Sequence, residues 1–145
     1  MPRASRPSSP RRQLALDFAS AWSRLERSLD ASLSAARGIS FAEFRLLEAL
    51  DRAPGSRASR VELASAVGLT PSGVTRALRP LEKLKIVRTQ RAERDARLAL
   101  ATLTPAGRQL VAETSVIVED VMGSLLGDVG RQRPTLTDLL DRLAR

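Results

Sequence analysis

Large apolar residues recur along much of this chain at spacings of three and four. Leu14, Phe18, Trp22, Leu25, Leu29 and Leu33 share one helical face, and Gly38 is the stop that follows. A helix of about 24 residues is long for a small domain, so its apolar stripe calls for a partner beyond its local neighbours. "SFAE", Ser40 to Glu43, pairs a hydroxyl with a carboxylate three residues on, the signature of a capped helix start. The helix it opens points Phe41, Phe44, Leu47 and Leu50 inward, and "DRAPGSRAS" after it reads as a loop. "SRVE", Ser59 to Glu62, repeats the box and opens a short helix with Val61, Leu63, Ala64 and Val67 inward.

Gly68 can take the left-handed conformation that ends this short helix. Thr70 then caps a further helix with Pro71 at its first position, where no amide donor is needed. Residues 59–84 thus read as helix, short glycine-containing turn, helix. In the second of these helices Val74, Ala77, Leu78, Leu81 and Leu84 form the inward stripe. Pro80 removes a backbone bond to residue 76, so a kink is expected.

Beyond it the period changes. "IVRTQ" and "RLALATL" alternate in twos on either side of the polar "RAERDA", which predicts a β-hairpin. Thr104-Pro105 repeats the Thr-Pro start, and a helix to about Leu126 carries Leu110, Thr114, Ile117, Val121 and Leu125, with Val111, Val118 and Met122 widening the stripe. After Gly127, Gly130 and Pro134, a short last helix carries Leu136, Leu139, Leu140 and Leu143. Residues 1–12, "MPRASRPSSPRR", have no large apolar group after Met1 and are expected to form a disordered basic arm.

Composition narrows the chemistry. A length of 145 residues suits one domain. No apolar run approaches the ~20 residues that span a bilayer, and the basic N-terminus lacks the apolar segment of a signal peptide, so a cytoplasmic protein without membrane partners is expected. There is no cysteine and no histidine, which removes disulfides, thiolate chemistry, Cys/His zinc sites and histidine acid–base catalysis. No phosphate-cradling glycine loop is present, and no cofactor is expected. Glu119 and Asp120 are sequence neighbours on a helix, point apart and cannot flank one bond, so the reading is not an enzyme.

The net charge is +8, and its placement matters more than its size. Residues 57–97 hold ten lysines and arginines against Glu62, Glu82, Glu93 and Asp95, an excess of +6, while the segments 13–56 and 98–145 each carry −1. Positive charge is concentrated in the arm and in one 41-residue segment, which points to a polyanion. All four aromatics (Phe18, Trp22, Phe41, Phe44) lie on apolar stripes before residue 45, whereas readers of RNA and single strands need aromatic platforms within the basic region. Duplex DNA is therefore the expected partner.

A helix fits the major groove, and its N-terminal residues reach the base edges. Ser72, Thr75 and Arg76 are short or forked hydrogen-bonding groups at that end, Gly73 removes bulk there, and Arg76 or Arg79 can pair bidentately with guanine. In the hairpin, Arg94 or Arg97 can enter a minor groove, with Asp95 holding Arg97; taken alone, Asp95 and Arg97 would be an exposed ion pair. Lys83, Arg88 and Arg91 suit phosphate contacts or simple solvation, and Thr70 joins them at the helix start.

Helix-turn-helix followed at once by a basic hairpin is the layout of a winged helix. "ELASAVGLTPSGVTRALRPLEKLKIVRTQRAERDARLALATLTPAG", residues 62–107, resembles the core of the MarR-family regulators. Leu63-Ala64, Gly68-Leu69-Thr70, Val74-Thr75-Arg76, Leu81-Glu82, Asp95-x-Arg97 and Leu103-Thr104-x-x-Gly107 carry the resemblance. Three positions depart from the family: Lys85 stands where glycine usually ends the recognition helix, Thr89 replaces an arginine, and Ala101 replaces a larger β-branched residue.

The resemblance implies a mainly α fold with a small β-hairpin wing. A winged helix-turn-helix DNA-binding lobe (39–104) would be flanked by long dimerisation helices (13–38 and 105–145). It also implies a homodimer that places two recognition helices on an inverted-repeat operator, acting as a ligand-responsive repressor. Many family members bind a small aromatic or anionic effector between the dimer helices and the DNA lobe. Here Trp22 and Arg45 are candidates by location alone, against a core role for Trp22 and a solvated one for Arg45. Thiol-based peroxide sensing is ruled out, since there is no thiol to oxidise. Two alternatives stay open: a non-specific DNA-coating or bridging protein, and a winged helix used for protein docking.

Overall fold

The computed structural model describes residues 9–92, 95–127 and 132–144, with the side chains of residues 91–98 outside that set. Among these residues six α-helices and three strands follow in the order α1 (Pro10–Arg37), α2 (Phe41–Arg52), β1 (Arg57–Ser59), α3 (Arg60–Val67), α4 (Pro71–Lys83), β2 (Val87–Ala92), β3 (Asp95–Leu103), α5 (Pro105–Leu126) and α6 (Arg133–Leu143), with a 3-10 turn at Pro54–Ser56 before β1. The fold is mainly helical with a small antiparallel sheet, as the pattern implied.

The capping chemistry read from the sequence is built. Ser40 and Ser59 each accept from the backbone N–H of a glutamate three residues on, and Glu43 and Glu62 accept from the two serine amides in return. Thr70 and Thr104 accept from Gly73 N–H and Gly107 N–H at 3.1 Å, with Pro71 and Pro105 opening the helices they cap. These contacts satisfy donors that a helix start otherwise leaves unpaired.

Helix α2 is the hub. It packs against α1 and α5 on one side and against α3, α4 and the sheet on the other. That explains why Leu46, absent from the expected inward set, is fully buried beside Phe44, Leu47 and Leu50, while Phe41 is only half-buried. Leu63, Val67, Val74, Leu78, Leu81, Val87, Ala101, Leu103 and Val111 complete one continuous core. Polar clamps brace the helices around it. Asp30 accepts from Phe41 N–H at 2.6 Å, Arg37 pairs with Glu113 at 2.8 Å, and Ser115 donates to Glu48 at 3.2 Å.

Several expectations need correction. Pro10, Arg11 and Arg12, assigned to the arm, form the first turn of α1; proline is tolerated there and arginine is a good helix former. Residues 57–59, read as loop, form β1, which pairs with β3 through Arg57–Thr102, Ala58–Ala101 and Ser59–Leu100 and makes the sheet order β1-β3-β2. Three residues are too few to show a period of two. Val61 is 68% exposed, because it is turned away from Leu63 and Val67 around α3. Leu84 is 65% exposed, because α4 ends one residue before it. Pro80, where a kink is expected, lies inside α4 and does not end it.

On α1 only Leu29 and Leu33 of the apolar stripe are buried. Leu14, Phe18 and Trp22 stay exposed, as do all four leucines of α6.

Candidate nucleic-acid interface

The turn between α3 and α4 is three residues long, Gly68 to Thr70. Gly68 adopts φ +67°, and its N–H and that of Leu69 both close on Ala64 O. This left-handed residue is nearly strain-free only as glycine, and it turns the chain sharply enough to set α4 across α3.

Along α4 the buried residues Val74, Leu78 and Leu81 fall on one side. Ser72, Arg76, Arg79 and Lys83 are all exposed, and their spacing of four, three and four places them on an opposite stripe about 60° wide. Arg76, Arg79 and Lys83 make no hydrogen bond or ion pair with the described residues. The one acid in α4, Glu82, is half-buried and turned aside, accepting from the Thr89 hydroxyl and lying 3.9 Å from Arg60. A helix anchored by its apolar side therefore presents an uncompensated cationic rod, with the positive end of its dipole at Thr70–Ser72.

The smaller groups at that end are constrained by the cap. Thr70 Oγ1, the cap acceptor, also sits 3.1 Å from Ser72 Oγ. Thr75 donates its hydroxyl to Pro71 O at 2.9 Å, leaving its oxygen as an acceptor and its methyl free. Gly73 has a local reason as well as the expected one, since a β-carbon there would stand 3.2 Å from Thr70 Oγ1.

Strands β2 and β3 form the hairpin beside α4, in register from Val87–Leu103 to Arg91–Ala99, with an irregularity between Arg91 and Ala92. Arg88 is exposed near its root. Arg91, Asp95 and Arg97 belong to the strands by their backbone, but their side chains lie outside the described residues, as does the whole of Arg94. Helix α4 packs against β2, so the helix that carries the stripe and the hairpin are neighbours.

Trp22 and Arg45 are not brought into one site. A cleft of about 640 Å³ opens between α2, α5 and the end of α3, lined by Phe41, Phe44, Arg45, Glu48, Val118 and Glu119 among others. Arg45 is half-buried rather than solvated, and its guanidinium donates to Val67 O, the last carbonyl of α3, at 2.7 Å. Trp22 is 38% exposed rather than part of the core; it does not line the cleft but lies beside Phe41, which does, ring centroids 6.4 Å apart.

What sequence reasoning passed over is Arg60 and its meeting with residues it had named singly, at the root of the hairpin. There Arg60, Glu82, Lys85, Arg88 and Thr89 line a second cavity. Only the capping box at Ser59, which puts Arg60 at a helix start, hinted at part of it.

Comparison with known proteins agrees with this architecture. Residues 37–98, the span from the end of α1 into β3, match the model of the MarR family. No curated protein matches the chain. Among solved structures, Sco3205 from Streptomyces coelicolor, a MarR family transcriptional regulator in complex with DNA, shares 26% identity at a TM-score of 0.86, over 97% of this chain and 90% of that one. The transcriptional regulator BldR from Sulfolobus solfataricus shares 26% identity at a TM-score of 0.85, over 97% and 99%. BpsR from Bordetella bronchiseptica, whose DNA binding is regulated by 6-hydroxynicotinic acid, shares 24% identity at a TM-score of 0.80, over 92% and 99%, a likeness of fold. With the family model matched by its DNA-binding lobe and the fold of such regulators along nearly its whole length, this chain is similar to the MarR family of winged-helix transcriptional regulators.

Proposed function

We propose that this protein is a homodimeric repressor that reads duplex DNA by sequence, with α4 in the major groove and the hairpin in the neighbouring minor groove. The observation that carries the reading is the exposed stripe of Ser72, Arg76, Arg79 and Lys83, its three cations without protein partners among the described residues, directly opposite the buried face of its own helix. Arg76 and Arg79 are the base readers, with Ser72, Gly73 and Thr75 around them. Lys83, Arg88 and Thr70 hold phosphates, and Arg91, Arg94, Asp95 and Arg97 form the wing contact. The DNA-bound state of Sco3205 supports the same use of this lobe.

The second copy is argued from apolar surface. Leu14, Phe18 and Trp22 on α1 and Leu136, Leu139, Leu140 and Leu143 on α6 are each 38–62% exposed. Apolar faces of that extent on two terminal helices mark an interface. Pairing them across a two-fold axis would set two α4 helices about one turn of DNA apart. Repression is then steric, the dimer occupying a promoter in the cytoplasm.

Effector control is assigned to the cleft of about 640 Å³. Stacked Phe41 and Phe44, centroids 6.1 Å apart, offer an aromatic wall, and Arg45 offers a cation. A small aromatic anion taking Arg45 would compete with Val67 O for the guanidinium, at the residue just before the turn into α4. Release of DNA requires that such a ligand bind the two states of the dimer unequally.

Selection of bound duplexes from a random pool tests the reading. The expected product is an inverted repeat of about 16–20 base pairs. Binding of scrambled duplexes within about tenfold of the selected one, far below a specificity ratio of about 10³, would replace the repressor with a DNA-coating protein.

A further inference from the structure

The cavity at the root of the hairpin, about 560 Å³, is lined by Arg60, Glu82, Lys85, Val87, Arg88, Thr89 and Thr104. Three cations face one carboxylate, and that carboxylate is engaged: Glu82 accepts from the Thr89 hydroxyl. Its contact with Arg60 is 3.9 Å, too long for a charge-assisted hydrogen bond, which closes to about 2.7–2.9 Å. Arg60 Nε is buried and has no hydrogen-bond partner among the described residues. A buried orphan donor on a guanidinium calls for an explanation, such as an ion that occupies it.

Lys85 adds an independent observation. It adopts φ +59°, a conformation that glycine takes freely and a lysine only under strain. The turn itself needs only the backbone, since Lys85 N–H closes on Glu82 O and Ile86 N–H on Leu81 O, the pattern in which helices end on a left-handed residue. The strained side chain thus does nothing for the turn that glycine would not do, and it sets an ammonium at the rim of this cavity. Strain held at one position is a pointer to function there. Lys85 and Arg88 are exposed and make no ion pair with the described residues.

From the orphaned Arg60, the strained Lys85 and the unpaired Arg88 around one cavity, we infer a binding site for a phosphate-type oxyanion at the hairpin root, separate from the base-reading stripe of α4. The anion would sit between the Arg60 guanidinium and the Lys85 ammonium, with Arg88 closing the rim. The same chemistry is offered by a free phosphate group and by a DNA backbone phosphate, and the two sources separate by experiment.

The test is a titration of the ¹⁵N-labelled full-length protein with inorganic phosphate, chloride being exchanged to hold ionic strength, followed through the amides of residues 85–89 and the Nε–H of Arg60. Saturable shifts confined to these groups, weakened at least tenfold in Lys85→Gly/Arg88→Gln, are expected for a free-anion site. Both substitutions are at exposed positions, and the first relieves strain, so the variant folds. If phosphate alone gives no shift but Lys85→Gly flattens the salt dependence of duplex binding by about one counterion, the site stands with the DNA backbone as its source. No shift together with an unchanged salt slope overturns the site, and so do shifts that persist undiminished in the double variant. The phosphate arm contains no DNA, so its result is independent of whether the chain reads an operator.

Discussion

Gly107 is pressed against the carbonyl of Ile86: a β-carbon at residue 107 would lie 2.4 Å from that oxygen and 2.6 Å from Leu103 Cδ1. The contact joins the N-terminus of α5 to the turn that follows α4. Thr104, three residues earlier, donates its hydroxyl to Lys85 O and Ile86 O and accepts from Gly107 N–H. The helix read as a dimerisation arm and the helix read as a DNA reader are therefore riveted end to end. Gly107→Ala is expected to force this junction apart at a cost of about 1–3 kcal/mol, as overpacking of a tight contact does. Urea unfolding would show the midpoint falling at constant slope; an unchanged midpoint would mean that the junction yields freely.

Lys85 gives the opposite sign. At φ +59° a lysine holds a conformation that a residue without a β-carbon adopts at little cost, so Lys85→Gly is expected to stabilise the fold by about 1 kcal/mol. The gain would be partly offset by the freedom glycine adds to the unfolded chain. Thermal unfolding checks it, and a lower transition temperature would show that the side chain itself braces the turn. The exchange of glycine for lysine relative to the family pattern was legible in the sequence, and so was its backbone consequence.

What could be read from the sequence was what local chemistry determines. Both capping boxes, both Thr-Pro starts, the glycine turn at Gly68 and the inward face of α4 follow from residues within four positions of one another. What escaped it depends on packing between distant segments. Leu46 is buried because α2 is covered on two sides, and β1 exists because β3 offers an edge to Arg57–Ser59. Arg45 looked like a surface charge until the end of α3, 22 residues on, came within its reach. The Arg60–Glu82–Thr89 cluster joins three elements and has no spacing by which it could be recognised.

The leucines of α6 give the assembly its sharpest test. Leu139 and Leu140 are 42% and 45% exposed on a helix none of whose residues is buried within the subunit. Leu140→Glu would leave the isolated subunit nearly indifferent but place a charge in an apolar interface, where burial without a partner is costly. Sedimentation equilibrium is expected to show a dimer for the parent chain and a monomer for the variant, with operator affinity reduced at least tenfold. A variant that remains dimeric would move the interface away from α6.

On α4 the two kinds of cation should separate. Arg76→Ala is expected to cost about 1–3 kcal/mol on the preferred duplex and little on a scrambled one, since a forked pair with guanine carries discrimination. Lys83→Gln should weaken both duplexes alike and lower the salt slope by about one. Anisotropy titrations at several salt concentrations measure both effects. Uniform loss in Arg76→Ala would reassign Arg76 to the phosphates.

Acid should weaken the start of α3. The Ser59 amide, and after it the Ser59 hydroxyl, hold the Glu62 carboxyl below its ordinary value of 4.5, against a small opposing effect of burial. The Ser59 N–H to Glu62 Oε2 bond, 2.7 Å, is what protonation would cost. A carboxyl whose folded-state value is depressed contributes stability that is fully present above the unfolded-state value and is lost as pH falls through the folded-state value. The capping box therefore supports α3 at neutral pH and fades below about pH 4.5. Glu62→Gln keeps an acceptor in place without a titrating charge, so its stability between pH 6 and pH 3 should fall less steeply than that of the parent chain, by about the contribution of one carboxylate. Glu113, held low first by the Gln109 side chain and then by Arg37, gives a second acid-sensitive contact that the substitution leaves intact. The variant should thus flatten the acid limb without abolishing it. Parallel curves for the two proteins would show that the Ser59–Glu62 box contributes nothing that pH can remove.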